Sequence, residues 1–123
     1  MSRDNRRGLR LNELVRDRLA ALIRRELDDP AFAALVITAV RVSDDASVAD
    51  IGVRFLGIDA EPERRRLLQR LLRVAPRLRR LLGSELGLRR TPELRFRFDT
   101  GEDAAARVDE LLREIRNEPR SQE

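Results

Sequence analysis

Arg66, Arg70, Arg73, Arg77 and Arg80 step by 4, 3, 4 and 3 residues, a spacing that lines five guanidinium groups along one side of a helix. A guanidinium donates forked hydrogen bonds to phosphate oxygens, so a row of them suits a nucleic-acid backbone. The plain alternative is the solvent face that any amphipathic helix needs. Such a face ordinarily mixes signs, yet no acid occurs from Arg64 to Arg80. Arg89 and Arg90 lie just beyond the far end of the row. Val74-Ala75-Pro76 interrupts it: proline removes a donor and crowds the preceding turn, so a kink is expected, with free N–H groups opening a second helical piece where phosphate would be welcome. Arg3, Arg6, Arg7 and Arg10 form a second basic cluster near the N-terminus, expected as a flexible arm over residues 1–8 that orders on an anionic partner.

Little else in the chain could do chemistry. All 26 basic residues are arginine, against 22 acids, and there is no lysine, histidine, cysteine, tryptophan or tyrosine. Disulfides, thiol nucleophiles, zinc-thiolate sites, an imidazole base and a lysine Schiff base are excluded with them. Asp28-Asp29 and Asp44-Asp45 stand at a helix end and a turn, where acids serve conformation. No catalytic residue, metal site or cofactor is expected, and the chain reads as a binder and not an enzyme. Phe55, Phe96 and Phe98 have inward strand spacing and leave no base-stacking platform; Phe32 is open on this point. Recognition should then rest on phosphate backbone and shape.

Charge is segregated along the chain. Residues 1–25 carry +5, 26–60 carry −5, 61–90 carry +7, and the stretch from Asp99 to Glu123 carries −4. Two basic blocks that meet in space would favour a polyanion. No signal peptide or membrane-length apolar run is visible, so a cytoplasmic protein is expected.

The elements that must position these groups follow from periodicity. With 123 residues, 41% of them hydrophobic, one domain with its own core is expected. Leu11, Val15, Leu19 and Leu22, with Leu14 and Ile23 beside them, predict a helix from about Leu9 to Leu27, ended by Asp28-Asp29-Pro30. Leu35 to Val42 and Ala49 to Phe55 read as strands around an Asp44-Asp45-Ala46 turn. Leu67, Leu68, Leu71 and Leu72, then Leu78, Leu81, Leu82 and Leu86, predict the helix–kink–helix, with Gly87 closing it. Glu93 to Phe98 alternates as a third strand. Thr100 opens a last helix burying Ala104, Ala105, Val108, Leu111, Leu112 and Ile115. The order α-β-β-α-α-β-α gives an α+β domain over residues 9–116, a three-stranded mixed sheet with helices packed on one face, and a polar tail over 117–123.

Arg24-Arg25-Glu26-Leu27-Asp28-Asp29-Pro30, Ile37-Thr38, Val42-Ser43, Leu88-Arg89-Arg90, Pro92 to Phe96 and Arg107-Val108-Asp109, in this order and spacing, resemble the ribosome-binding factor A family over about residues 7–115. The resemblance implies a KH-like (type II) fold and a monomeric, non-catalytic factor. Such a factor binds the small ribosomal subunit and its ribosomal RNA in late maturation, including 5′-end processing of that RNA. It also implies that Val74-Ala75-Pro76 occupies the family's Ala-x-Gly kink, departing from it at both defining positions. The residues expected to contact RNA are Arg66, Arg70, Arg73, Arg77, Arg80, Arg89 and Arg90, with Arg6, Arg7 and Arg10 as a second patch. No small-molecule substrate and no membrane partner is expected. The alternative is a protein–protein adaptor of the same fold that sets its basic helices on an acidic protein surface.

Overall fold

The structure is a computed structural model that describes residues 3–99, Gly101 and Arg113, with side chains described from Gly8 onward. The helix expected after Thr100 and the tail over 117–123 lie outside the described residues, Arg113 excepted. Helix α1 runs Arg3–Glu26 and thus starts six residues before the expected Leu9, so the backbone of Arg6, Arg7 and Arg10 is helical. Its buried stripe is Val15, Leu19, Leu22 and Ile23, with Leu11 half-buried. Leu14 falls outside that stripe and is exposed.

Proline ends α1 as expected, and a short 3-10 helix, Pro30–Ala34, follows. Asp29 caps it: its Oδ1 accepts from the Ala31 N–H at 2.9 Å. The turn carries Phe32 into the core, where it meets Phe55 edge-on with ring centroids 5.6 Å apart. A single turn has no period to read, so the sequence alone does not assign Phe32 to the core.

Strands β1 (Leu35–Val42) and β2 (Val48–Phe55) pair antiparallel, and β3 (Glu93–Phe98) pairs parallel to β2. The sheet order is β1-β2-β3, a mixed sheet as predicted. Ala49, Ile51, Val53 and Phe55 of β2, with Leu94 and Phe96 of β3, point to the helices. Their partners in the alternation, including Asp50, Gly52, Arg54, Arg95 and Arg97, lie on the opposite face.

Helix α2, Glu61–Leu86, is one helix with Pro76 inside it, where two pieces were expected. Pro76 offers no N–H, so the Leu72 carbonyl loses its donor, yet the ladder resumes without a new helix start. The row of free N–H groups expected at the kink is therefore absent. The core supplies the reason: Leu67, Leu71, Ala75, Leu78 and Leu82 run in one unbroken buried stripe across the proline. Each buried leucine contributes about 1.5–3 kcal/mol, enough together to outweigh the roughly 3 kcal/mol that an interior proline costs. Leu72 lies one step around from that stripe and is 47% exposed, in place of the buried position expected for it. Gly87 ends the helix at φ 61°, its N–H bonded to the Gly83 carbonyl.

Candidate nucleic-acid interface

The arginines of α2 divide into two sets by what they face. On the side toward α1, Arg66 Nη2 and Arg70 Nη1 both donate to Asp29 Oδ2 at 3.1 Å. Arg66 also pairs with Glu63, and Arg77 Nη2 lies 2.6 Å from Glu26 Oε1. Arg25 joins the same network through Glu26 and Glu85. Two backbone devices bring the acids there: the end of α1 delivers Glu26, and the 3-10 turn delivers Asp29. The Ala31 N–H, followed by Arg66, holds the Asp29 carboxyl below the usual carboxylate range, and Arg66 does the same for Glu63. The Arg66 guanidinium is raised in turn.

The second set is Arg73 and Arg80 on α2, with Arg89 and Arg90 on the connection to β3. None of these four has an ion-pair partner among the described residues, and Arg73, Arg80, Arg89 and Arg90 are all exposed. The stripe expected as one basic surface is thus half neutralised and half open.

Arg80, from the open half, lines a groove of about 700 Å³ between α2 and the edge strand β3. Leu72, Ala75 and Pro76 from α2 and Leu94 and Phe96 from β3 line it with apolar surface. Arg79, Arg80 and Arg95 line it with charge, and Thr91 and Glu93 complete it. Of the three kink residues, Ala75 and Pro76 reach the groove, while Val74 packs against the core. The connection is pinned close to α2: Arg79 Nε donates to the Thr91 carbonyl at 3.0 Å, and a Cβ on Gly83 would sit 2.2 Å from Thr91 Oγ1. Gly83 thereby lets the Arg89-Arg90 segment fold back beside the groove. Arg95 Nε lies 3.3 Å from Glu93 Oε2 on the exposed rim, a weak tie.

Arg79 and Arg95 were not singled out in the sequence. Arg79 breaks the 4-3-4-3 stepping because it sits on the groove side of α2, and Arg95 is an ordinary outward residue of an alternating strand. Both would have emerged from projecting α2 against an edge strand, the one relation that a single chain's periodicity does not carry. Beside the start of β3, where the Glu93 N–H donates to the Ser47 carbonyl, the Ser47 and Ser43 hydroxyls hold the Asp45 carboxyl down to about 2, with Arg90 assisting. Among the described residues no group of three His, Cys, Asp or Glu side chains could hold a metal ion.

A mixed three-stranded sheet backed by two helices, with an arginine-rimmed groove along its parallel edge strand, defines a small α+β protein of KH-like fold. The chain belongs to the ribosome-binding factor A family, which it matches over residues 7–112. It is 40% identical over 113 residues to ribosome-binding factor A of Sorangium cellulosum, covering 91% of this chain and 90% of that one. It is 42% identical over 119 residues to the Hyphomonas neptunium protein, covering 94% and 85%. The crystal structure of ribosome-binding factor A from Thermus thermophilus superposes with a TM-score of 0.62 at 31% identity, covering 73% of this chain and 93% of that chain. A Thermus thermophilus ribosome binding factor A fitted into the cryo-EM map of a 30S complex matches with a TM-score of 0.59 at 31% identity, over 72% and 90%.

Proposed function

We propose that this chain binds the small ribosomal subunit in the bacterial cytoplasm as a non-catalytic, monomeric assembly factor. It grips ribosomal RNA through phosphates during late maturation, including 5′-end processing. The observation that carries this reading is the set of exposed arginines without an ion-pair partner among the described residues, Arg73, Arg80, Arg89 and Arg90, together with the groove that Arg79, Arg80 and Arg95 line. The fitted 30S complex of the Thermus thermophilus relative supports the same partner here. Arg6, Arg7 and Arg10 form a second contact along the first turns of α1. Arg66, Arg70 and Arg77 reach phosphate only by exchanging their carboxylates, so their contribution is smaller.

Association with small subunits tests this directly. Charge reversal of Arg73 and Arg80 together should weaken co-sedimentation about tenfold or more, since charge-assisted hydrogen bonds contribute roughly 1.5–3 kcal/mol each. An unchanged affinity would count against the groove. Association with ribosomal particles that survives nuclease digestion of the RNA would favour the protein–protein adaptor instead.

A further inference from the structure

The connection from α2 to β3 leaves from one residue and returns to it. The Gly83 carbonyl accepts from the Gly87 N–H and, at 3.2 Å, from the Leu88 N–H. Three residues later Thr91 comes back against the same turn of α2. A Cβ on Gly83 would stand 3.3 Å from Thr91 Cβ and 3.6 Å from its Cγ2, with Oγ1 nearer still. Arg89 and Arg90 lie between these two anchor points and are exposed. We infer that Gly83 is a positioning residue for RNA binding: its bare α-carbon lets the connection close on α2 at one fixed distance, and that distance sets where Arg89 and Arg90 meet phosphate. The inference rests on the phosphate role proposed above for these two arginines.

The far side of the connection is fixed as well. Arg79 Nε holds the Thr91 carbonyl at 3.0 Å, Pro92 is fully buried, and the Glu93 N–H donates to the Ser47 carbonyl at 2.9 Å. Arg90 lies close enough to the β1–β2 turn to help lower the Asp45 carboxyl. A side chain at residue 83 would therefore have little room to be absorbed. Turning the Thr91 hydroxyl aside still leaves Thr91 Cβ tight against the new atom, and the buried proline and the strand behind it cannot retreat. The displacement falls on residues 88–91, the stretch that carries both arginines. Guanidinium hydrogen bonds to phosphate are lost beyond about 3.5 Å, so a modest shift of this stretch separates them from their phosphates without removing a charge.

Binding of the full-length chain to small ribosomal subunits across a salt series tests this. Valine is no worse a helix former than glycine, so Gly83→Val leaves the propensity of α2 intact. It should weaken binding about fivefold and reduce the magnitude of the log–log salt slope by about one to two, although every arginine is still present. Should the valine chain fail to fold, Gly83→Ala carries the test, with about a twofold loss. In a chain already carrying Arg89→Gln and Arg90→Gln, either substitution should weaken binding no further, because the groups it displaces are gone. Unchanged affinity and slope for both substitutions, or an equal loss in the glutamine background, would overturn the inference and leave Gly83 a matter of packing alone. An unchanged slope for the glutamine pair by itself would instead sink the phosphate role of Arg89 and Arg90, and the inference with it.

Discussion

Arg73 and Arg77 differ by one helical turn and by everything that surrounds them. Arg77 lies against Glu26 and ties α2 to the end of α1, whereas Arg73 has no acid partner among the described residues. Arg77→Glu should therefore lower the thermal midpoint by a few degrees, through repulsion from Glu26, and weaken subunit binding only modestly. Arg73→Glu should do the reverse, and thermal melts run beside co-sedimentation separate the two. Carboxylates give a second residue-scale expectation. Asp29, Glu63 and Asp45 have folded pKa values below their unfolded ones, so their contribution to stability is present at neutral pH. It is lost as pH falls below the ordinary carboxylate range and through the folded values, for Asp45 about 2. Urea midpoints across that range should decline, and Asp29→Asn should flatten part of the decline. The arginine types and their stepping were legible in the sequence. Their partners were not, because Asp29 and Glu26 approach α2 from residues about 40 to 50 positions earlier in the chain.

At the scale of elements, α2 is the strut on which the site depends. Its stripe from Leu67 to Leu82 seats it on the sheet, and Leu71→Ala should cost about 2–5 kcal/mol as a fully buried truncation. Pro76 acts oppositely. Pro76→Ala would return a donor to the Leu72 carbonyl and should stabilise the helix by up to about 3 kcal/mol, measurable by denaturant midpoint. It would also strip the ring from the groove wall and should weaken subunit binding at the same time. Strands and helices were readable from periods of two and 3.6 residues. Pro76 does not split α2 into two helices as expected: local propensity registers the lost hydrogen bond and not the buried leucines on both sides of it. The 3-10 turn that seats Phe32 and aims Asp29 had no period to reveal it.

The whole molecule sorts its charge. The end of α1 and the 3-10 turn set their acids against Arg66, Arg70 and Arg77, which leaves Arg73 and Arg80 of α2 without an ion-pair partner among the described residues, Arg80 on the groove toward β3. The α+β architecture and its mixed sheet followed from element order alone. The groove did not, since it exists only where α2 passes the edge strand. If the six arginines Arg79, Arg80 and Arg95 on the groove and Arg73, Arg89 and Arg90 elsewhere on the surface each neutralise a phosphate, binding releases counterions in proportion. The most direct measurement is the affinity of the full-length chain for small ribosomal subunits across a salt series. A log–log slope of roughly −4 to −5, falling in magnitude by about two for the Arg73→Glu/Arg80→Glu chain, is the expected result. A slope near zero, or one that the double substitution leaves untouched, would contradict the account.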